Sequence, residues 1–419
     1  MNSRRDLFDL LVLANCTFIL SGAITTLTLT PGDTPLEGNA FGRLMLSISY
    51  LAVGVVLLPY RHEAFIICRR NWTLLALIVL AFASCLWAET PEFTFRRCIA
   101  VAGTTLFGIA LAVRLSLQQQ LRLLSVMFRV IAVLSLACII LLPSYGISDS
   151  LESEWRGVFG YKNAFGSIMA ISSLVEWQLP TSSWQSKLLN RAALLLSVYL
   201  LIRANSITPL LAFAGAVVLV ELYKCVTLRL RIPLYATAIA TLLVSAVIFV
   251  LIAPRSDAFA AMLGRSSDLT GRTEIWRWVV SFIQERPLLG YGYSGFWSAS
   301  AESGSIERAI GRHMYSHNGY LETFLTMGAV GFLLAVRCIV GGMKRAYQWS
   351  TGDSSQSSLW PLAFLLFFLL YNLGECTIFL QDLQWGICVA IIAATDAALF
   401  APPVERQDEI YLNSGEKIV

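Results

Sequence analysis

The 419 residues contain three histidines, His62, His313 and His317. Imidazole is the side chain whose ordinary pKa suits proton exchange near neutral pH. His313 and His317 close a long polar segment, just ahead of the apolar run 324–340. His317-Asn318 stands where the next helix should begin. A helix N-terminus is electropositive, a setting that suits a neutral ring ready to accept a proton. His317 is therefore the candidate general base, with Asn318 as a polar substrate contact beside it; the alternative is an interfacial residue capping a helix. His313 adjoins Arg312 and is read as orienting the loop or an acceptor. Glu274, between Arg272 and Arg277, is the carboxylate alternative for the base.

A second constellation is cationic. Arg156, Lys162 and Asn163 lie in W-R-G-V-F-G-Y-K-N at 155–163, Arg272 and Arg277 bracket Trp276, and Arg96 and Arg97 follow Pro91. A guanidinium grips phosphate oxygens as a planar fork. A lipid carrying a diphosphate would need such groups. The competing role is snorkelling to lipid headgroups, our reading for Arg43 and Arg203. Aromatic residues, Trp276, Trp278, Tyr291, Tyr293, Phe296, Trp297 and Tyr315, share the long polar segment. They suit sugar faces or an interfacial belt. Trp276, Val279, Val280 and Ile283 share one helical face, which makes Trp276 a packing residue.

Two apparent motifs carry no chemistry. Gly290-Tyr291-Gly292-Tyr293-Ser294-Gly295 fits G-x-G-x-x-G, but a dinucleotide site needs a preceding strand and an acid about 20 residues on. The glycines read instead as turn residues after Pro287. Glu152 and Glu154 form the nearest acidic pair and read as a solvated loop. No metal-ligand spacing is present, so no metal or cofactor is expected.

The elements that must position these residues follow from composition. Hydrophobic residues make up 56% of the chain and charged ones 14%, against about 25% charged in soluble domains. That excludes a soluble enzyme or a nucleic-acid partner. The expected fold is all-α and polytopic, with about 12 transmembrane helices of roughly 20 residues each. The stretches are 10–30, 44–60, 72–88, 98–113, 123–142, 164–177, 188–203, 207–220, 232–253, 324–340, 359–373 and 385–400. Lys and Arg divide 17 to 6 between alternate short connections. The positive-inside rule then puts both termini in the cytoplasm. One long extracytoplasmic loop, 254–318, joins spans 9 and 10, and loops of that length are usually functional. The nine cysteines show no C-x-x-C and read as packing residues. Ser3-Arg4-Arg5 reads as the positive flank of a first span, not an export signal.

Taken together, these segments resemble the O-antigen ligase and polymerase superfamily of bacterial envelope glycosyltransferases. The wording that carries the resemblance is W-R-G-V-F-G-Y-K-N-A-F-G at 155–166, G-R-T-E-I-W at 271–276, P-L-L-G-Y-G at 287–292, S-H-N-G-Y-L-E at 316–322 and M-G-A-V-G at 327–331. Ser84-Cys85-Leu86-Trp87-Ala88, with Pro91 and Arg96-Arg97, adds an early segment. The 155–166 and 271–292 wording is most similar to exopolysaccharide polymerases of the succinoglycan type. The resemblance implies one polytopic domain over 1–419, a ligase-like core at 150–345 and a catalytic loop at 254–318. It implies glycan transfer from undecaprenyl diphosphate to a sugar hydroxyl, without metal or nucleotide sugar, at the periplasmic face of the bacterial inner membrane. His317 would be the base, and Arg156 and Arg272 would lie near the lipid diphosphate. A glycan acceptor, membrane lipids, a flippase and a chain-length regulator are the implied partners. Where ligase relatives carry Ser-Arg, this chain has Ser206-Ile207-Thr208, which favours polymerisation over ligation to lipid A–core. The reading from another class is a lipid-linked glycan transporter. Such proteins carry buried charges mid-span, whereas the span centres here are nearly free of charge, with Arg129 and Asp396 the exceptions.

Overall fold

A computed structural model describes residues 3–23, 40–147, 154–230, 268–298, 315–352 and 356–400. Among these residues the regular structure is helical, apart from one isolated bridge between Ile147 and Trp155. In chain order the helices are α1 (Ser3–Leu20), α2 (Ala40–Leu57), α3 (Arg61–Arg70), α4 (Trp72–Ala83), α5 (Pro91–Arg114), α6 (Leu117–Leu141) and the short α7 (Pro143–Gly146). Then come α8 (Lys162–Gln178), α9 (Trp184–Arg203), α10 (Ile207–Leu230), α11 (Asp268–Glu285), α12 (Gly319–Gly352), α13 (Trp360–Tyr371) and α14 (Leu383–Phe400). Five segments are long and apolar enough to cross a membrane: Ala40–Arg70, Pro91–Arg114, Leu117–Leu141, Ile207–Cys225 and Gly319–Gly352. Trp72–Leu86, Ser357–Tyr371 and Leu383–Leu399 are shorter apolar helices. The chain is an all-helical, polytopic membrane protein over the described residues. The expected stretch at 232–253 and His313 lie outside them. His62, expected in a loop, sits in the first turn of α3.

Local sequence explains the boundaries. Pro91 opens α5, where its missing N–H costs nothing. Ser116 and Gln119 form a reciprocal capping box on α6. Asn205, with φ 54°, sits in the tight turn between α9 and α10. Helices α8, α13 and α14 are the most enclosed, and their buried side chains are largely aromatic and aliphatic. Small residues let backbones approach: a Cβ on Gly108 of α5 would stand 2.6 Å from the Gly386 carbonyl of α14.

The charges inside the bundle are paired. Arg129 donates to Glu176, whose side chain is fully buried, and Ser125 donates to the same carboxylate at 2.7 Å. Asp396 lies 3.7 Å from Arg70 and 3.9 Å from Arg345. Pairing of this kind makes a charge tolerable in lipid and needs no transport role.

Helix α12 breaks at Gly328, where φ is 63° and ψ −169°. The break frees backbone groups that lipid cannot satisfy. Residues 287–292 satisfy them. Tyr291 and Gly292 donate to the carbonyls of Leu325 and Thr326, and Ala329 and Val330 donate to those of Pro287 and Leu288, at 2.8–3.2 Å. Close approach requires glycine on both sides. A Cβ at Gly328 would meet the Leu288 oxygen at 2.2 Å, and one at Gly290 the Leu325 oxygen at 2.5 Å. P-L-L-G-Y-G and M-G-A-V-G are therefore two halves of one backbone clamp; Gly290 and Gly292 lie in a turn after Pro287, as expected.

That clamp ties α11 to the bundle over a small separate core of Ile275, Val279, Phe282, Tyr291, Phe296, Trp297 and Leu325. Val280, expected on the packed face, is 41% exposed; Ile275 and Phe282 take that place. Tyr293 N donates to Ser84 Oγ, Thr90 pairs with Ser298, and Tyr293 Oη donates to Phe379 O. Connections 84–90, 287–298 and 372–382 thus gather at one end of the bundle.

Candidate active site

The same end collects the polar residues around Glu375, in the connection between α13 and α14. Arg272 Nη2 lies 3.1 Å from Glu375 Oε1, and its Nη1 donates to Gly374 O at 2.9 Å and Thr208 Oγ1 at 3.4 Å. Asn163 Nδ2 donates to the same Oε1 at 2.5 Å, and Ser206 Oγ donates to Asn163 Oδ1 at 2.7 Å. His317 Nδ1 stands 3.5 Å from Glu375 Oε2, an ion-pair distance without hydrogen-bond geometry. Glu375 is 4% exposed. A buried carboxylate is tolerable only when paired, and here one arginine, one amide and one imidazole converge on it.

Each element positions its residue for a physical reason. Asn163 sits in the first turn of α8, and Thr208 in the first turn of α10. Gly374 has no side chain, and a Cβ there would lie 3.2 Å from Arg272 Nη1. Asn318 caps α12: its Oδ1 accepts from Tyr320 N and Leu321 N, while its Nδ2 donates to Leu373 O. That places His317 immediately outside the helix, at φ 52°, a left-handed conformation uncommon for residues other than glycine. Such strain persists only where its surroundings enforce it. Ser316, fully buried, receives the Trp276 indole N–H on its carbonyl and donates its own N–H to Glu322. Trp297 also donates to Glu322. Tyr315 packs edge-on to the His317 ring, with centroids 4.6 Å apart. Burial pushes the Tyr315 phenol far above its ordinary range, so it is held as an O–H donor.

Several expected residues have other partners. Arg156 donates to the carbonyls of Tyr145 and Ser144, which end α7. It braces that turn and is not gathered around Glu375. Lys162 pairs with Glu154, so Glu154 is an ion-pair partner and not a solvated loop residue. Arg96 and Arg97 lie over the Phe93 ring. Arg277 and Glu274 are exposed on α11. Asn318 is engaged as a helix cap. Of the predicted set, the structure brings together His317, Arg272 and Asn163. Trp276, read as packing, also anchors the backbone next to His317. Arg203, read as snorkelling, stacks on Trp155 at 4.5 Å.

Sequence reasoning missed Glu375, Ser206 and Thr208. The available signal was a lone carboxylate in Asn372-Leu373-Gly374-Glu375, between two apolar runs on the side assigned to the candidate residues. Among the described residues no group of three or more His, Cys, Asp or Glu is placed to hold a metal ion.

Known proteins share part of this framework. Residues 192–336 match the O-antigen ligase family. The resemblance to the O-antigen ligase and polymerase superfamily holds on that segment, which includes Arg272, His317 and the glycine clamp. A relative is the "Exopolysaccharide production protein ExoQ" of Rhizobium meliloti (strain 1021), 28% identical over 167 residues. That match covers 36% of this chain and 37% of the relative. Asn163 and Glu375 fall outside the family match, and the structure alone joins them to it.

Proposed function

We propose that the protein is a membrane glycosyltransferase that moves a glycan from a polyprenyl diphosphate to a sugar hydroxyl, polymerising exopolysaccharide repeats. The observation that carries this reading is the convergence of Arg272, His317 and Asn163 on Glu375, within and beside the matched segment. The relative's name, an exopolysaccharide production protein, supports polymerisation. The family's description supports ligation as the second reading.

The chemistry follows from the residues. The acceptor hydroxyl attacks the anomeric carbon as the bond to the diphosphate oxygen breaks, and the diphosphate leaves with the electron pair. His317 takes the hydroxyl proton on Nε2, because Nδ1 is turned toward the Glu375 carboxylate 3.5 Å away. This is base and orienter in the arrangement that activates a nucleophile. Arg272 stabilises charge developing on the leaving group, a term commonly worth about 3–4 kcal/mol per well-placed donor. Arg272 is held on Nη1 and Nη2, so it is preorganised and needs no reordering in the reaction. Arg277, Lys162, Arg96 and Arg97 are proposed to meet the lipid phosphates or the glycan at the rim. Both termini are assigned to the cytoplasm and the site to the periplasmic face of the inner membrane.

The test is direct. Purified protein is given a polyprenyl-diphosphate-linked oligosaccharide, and products are sized. A ladder of lengthened lipid-linked glycans supports polymerisation. Transfer only to an added lipid A–core acceptor would establish ligation instead, and translocation without any new glycosidic bond would establish a transporter.

A further inference from the structure

His317 keeps its left-handed φ of 52° although its Nδ1 takes no hydrogen bond among the described residues. The constraint lies in the backbone on either side. After His317, Asn318 caps α12, and Gly319 N donates to the carbonyls of Asn372 and Glu375, each at 2.9 Å. Before it stands Ser316, which has no exposed surface. The Ser316 carbonyl accepts from Trp276, its hydroxyl donates to Asn318 O, and its N–H donates to Glu322 Oε2 at 2.9 Å. Ser316 is thereby tied to α11 and α12 at once.

Among these partners Glu322 is the one whose burial packing does not explain. It lies in the first turn of α12 and is 7% exposed. An acid in a first turn gains from the helix dipole, but it would do so from the solvent side as well. Here the carboxylate is buried, and its partners among the described residues are N–H donors. Besides Ser316 N, Trp297 Nε1 lies 3.0 Å from Oε1 and 3.2 Å from Oε2. Burying a carboxylate is costly, and an apolar side chain would pack α12 without that cost. What the carboxylate adds is a link from Trp297, beyond the clamp turn, to the backbone immediately before His317.

We propose that Glu322 is a positioning residue for His317. By holding Ser316 N, it keeps the 316–318 backbone in the conformation that sets the His317 ring 3.5 Å from Glu375. The assignment rests on the reading of His317 as the general base, and it gives Glu322 no contact with the acceptor or the diphosphate. With the link broken, His317 relaxes toward negative φ and its Nε2 leaves the acceptor hydroxyl. A misplacement of about 1 Å can lower a rate by roughly 100-fold.

The experiment measures transfer by Glu322→Gln at matched amounts of folded protein, in the native and the His317→Ala backgrounds. Glutamine keeps the volume and one acceptor oxygen, but turns an amide N–H toward the other donor. The kcat should fall about 100-fold, with KM for the lipid-linked donor unchanged. In the His317→Ala background no further loss should appear, because the two residues act through one group. A kcat unchanged in folded Glu322→Gln would overturn the proposal, as would a loss repeated in full when His317 is absent. Trp297→Phe removes one N–H from Glu322 and keeps the aromatic packing; it carries the same test, with a smaller loss, if Glu322→Gln does not fold. A readout without turnover separates this role from the transferase reading. Carbethoxylation of His317 by diethyl pyrocarbonate is followed by peptide mass spectrometry, with His62, exposed on α3, as the reference. His317 should be modified faster in Glu322→Gln than in the native chain, even if the native chain transfers no glycan. Equal His317 rates in the two proteins would overturn the positioning role itself.

Discussion

Glu375 Oε2 lies 3.5 Å from His317 Nδ1, although helices α12 and α13 separate the two residues in the chain. The other oxygen of the same carboxylate takes Arg272 and Asn163. One buried group thus holds the proposed phosphate ligand and faces the proposed base. His317→Ala should lower transfer by roughly 100- to 10,000-fold, the usual worth of general-base help. Glu375→Gln keeps the shape but removes the charge facing Nδ1, and should also lower transfer strongly. Residues that act as a unit are not additive. The double variant should therefore be no slower than His317→Ala alone, with protein amounts matched. Multiplying effects, or an active His317→Ala, would break the unit apart.

Arginine positions should separate by what they touch. Arg272→Ala should remove most transfer, and Arg272→Lys should restore little, because a point charge cannot reach Gly374, Thr208 and Glu375 together. Among the described residues Arg156 donates to the main-chain carbonyls of Ser144 and Tyr145. Arg156→Ala should thus reduce the yield of folded protein more than the rate per folded molecule. A rate collapse in Arg156→Ala at full yield would return Arg156 to the substrate site.

How far the sequence reaches is set by which physics is local. Lipid demands about 20 apolar residues per crossing, so the helical stretches are visible as composition. The turn at Asn205 and the caps at Ser116 and Asn318 are likewise local. His317 and Asn163 are visible because polar residues at span ends stand out, and Arg272 because it lies in a Gly- and aromatic-rich motif. Glu375 also stands beside a span end, but its importance comes from three distant segments closing on it. Arg156 stands apart for the complementary reason: its Gly- and aromatic-rich neighbourhood looks like a binding loop, while its hydrogen bonds to the carbonyls of Ser144 and Tyr145 are seen only in the structure. P-L-L-G-Y-G is legible as a turn, but its partner at Gly328 appears only once the helix break is seen.

The clamp gives a stability prediction. Gly328→Ala forces a left-handed conformation on alanine, about 1–3 kcal/mol of strain, and drives a Cβ to within 2.2 Å of the Leu288 carbonyl. It should lower the thermal midpoint sharply or abolish monodisperse protein. Gly54 lies in the interior of α2, and a Cβ there would meet nothing within 4 Å. Gly54→Ala should be neutral or stabilising by up to about 1 kcal/mol. The check is the fraction surviving heating by size-exclusion fluorescence; equal midpoints for the two variants would dismiss the clamp.

Transfer should also persist in excess chelator, the outcome expected from a sequence without metal-ligand spacing. Loss of turnover that added divalent cation restores would show a required metal.

The last prediction concerns pH and the connection that carries Glu375. Asp382 caps α14, with Oδ1 accepting from Trp385 N at 2.8 Å. Burial pushes its carboxyl from 3.8 up to about 7, against the opposing hydrogen bonds from Trp385 and Gln384. The folded state therefore holds this proton more tightly than the unfolded chain does. Stability changes with pH according to the difference in bound protons, and here the folded state binds more. Its contribution is fully present below pH about 4, falls as pH rises from there to about 7, and is lost above 7. Within the window the slope approaches about 1.4 kcal/mol per pH unit at most. Asp382→Asn keeps an oxygen for the Trp385 N–H but cannot ionise. It should be more stable than the native chain at pH 8, and that gap should close as pH falls toward 4. Thermal midpoints of both proteins across pH 4 to 8 decide the matter. Curves that run parallel over the whole range would mean that Asp382 is ionised in the folded protein, and that its cap is made by a charged carboxylate.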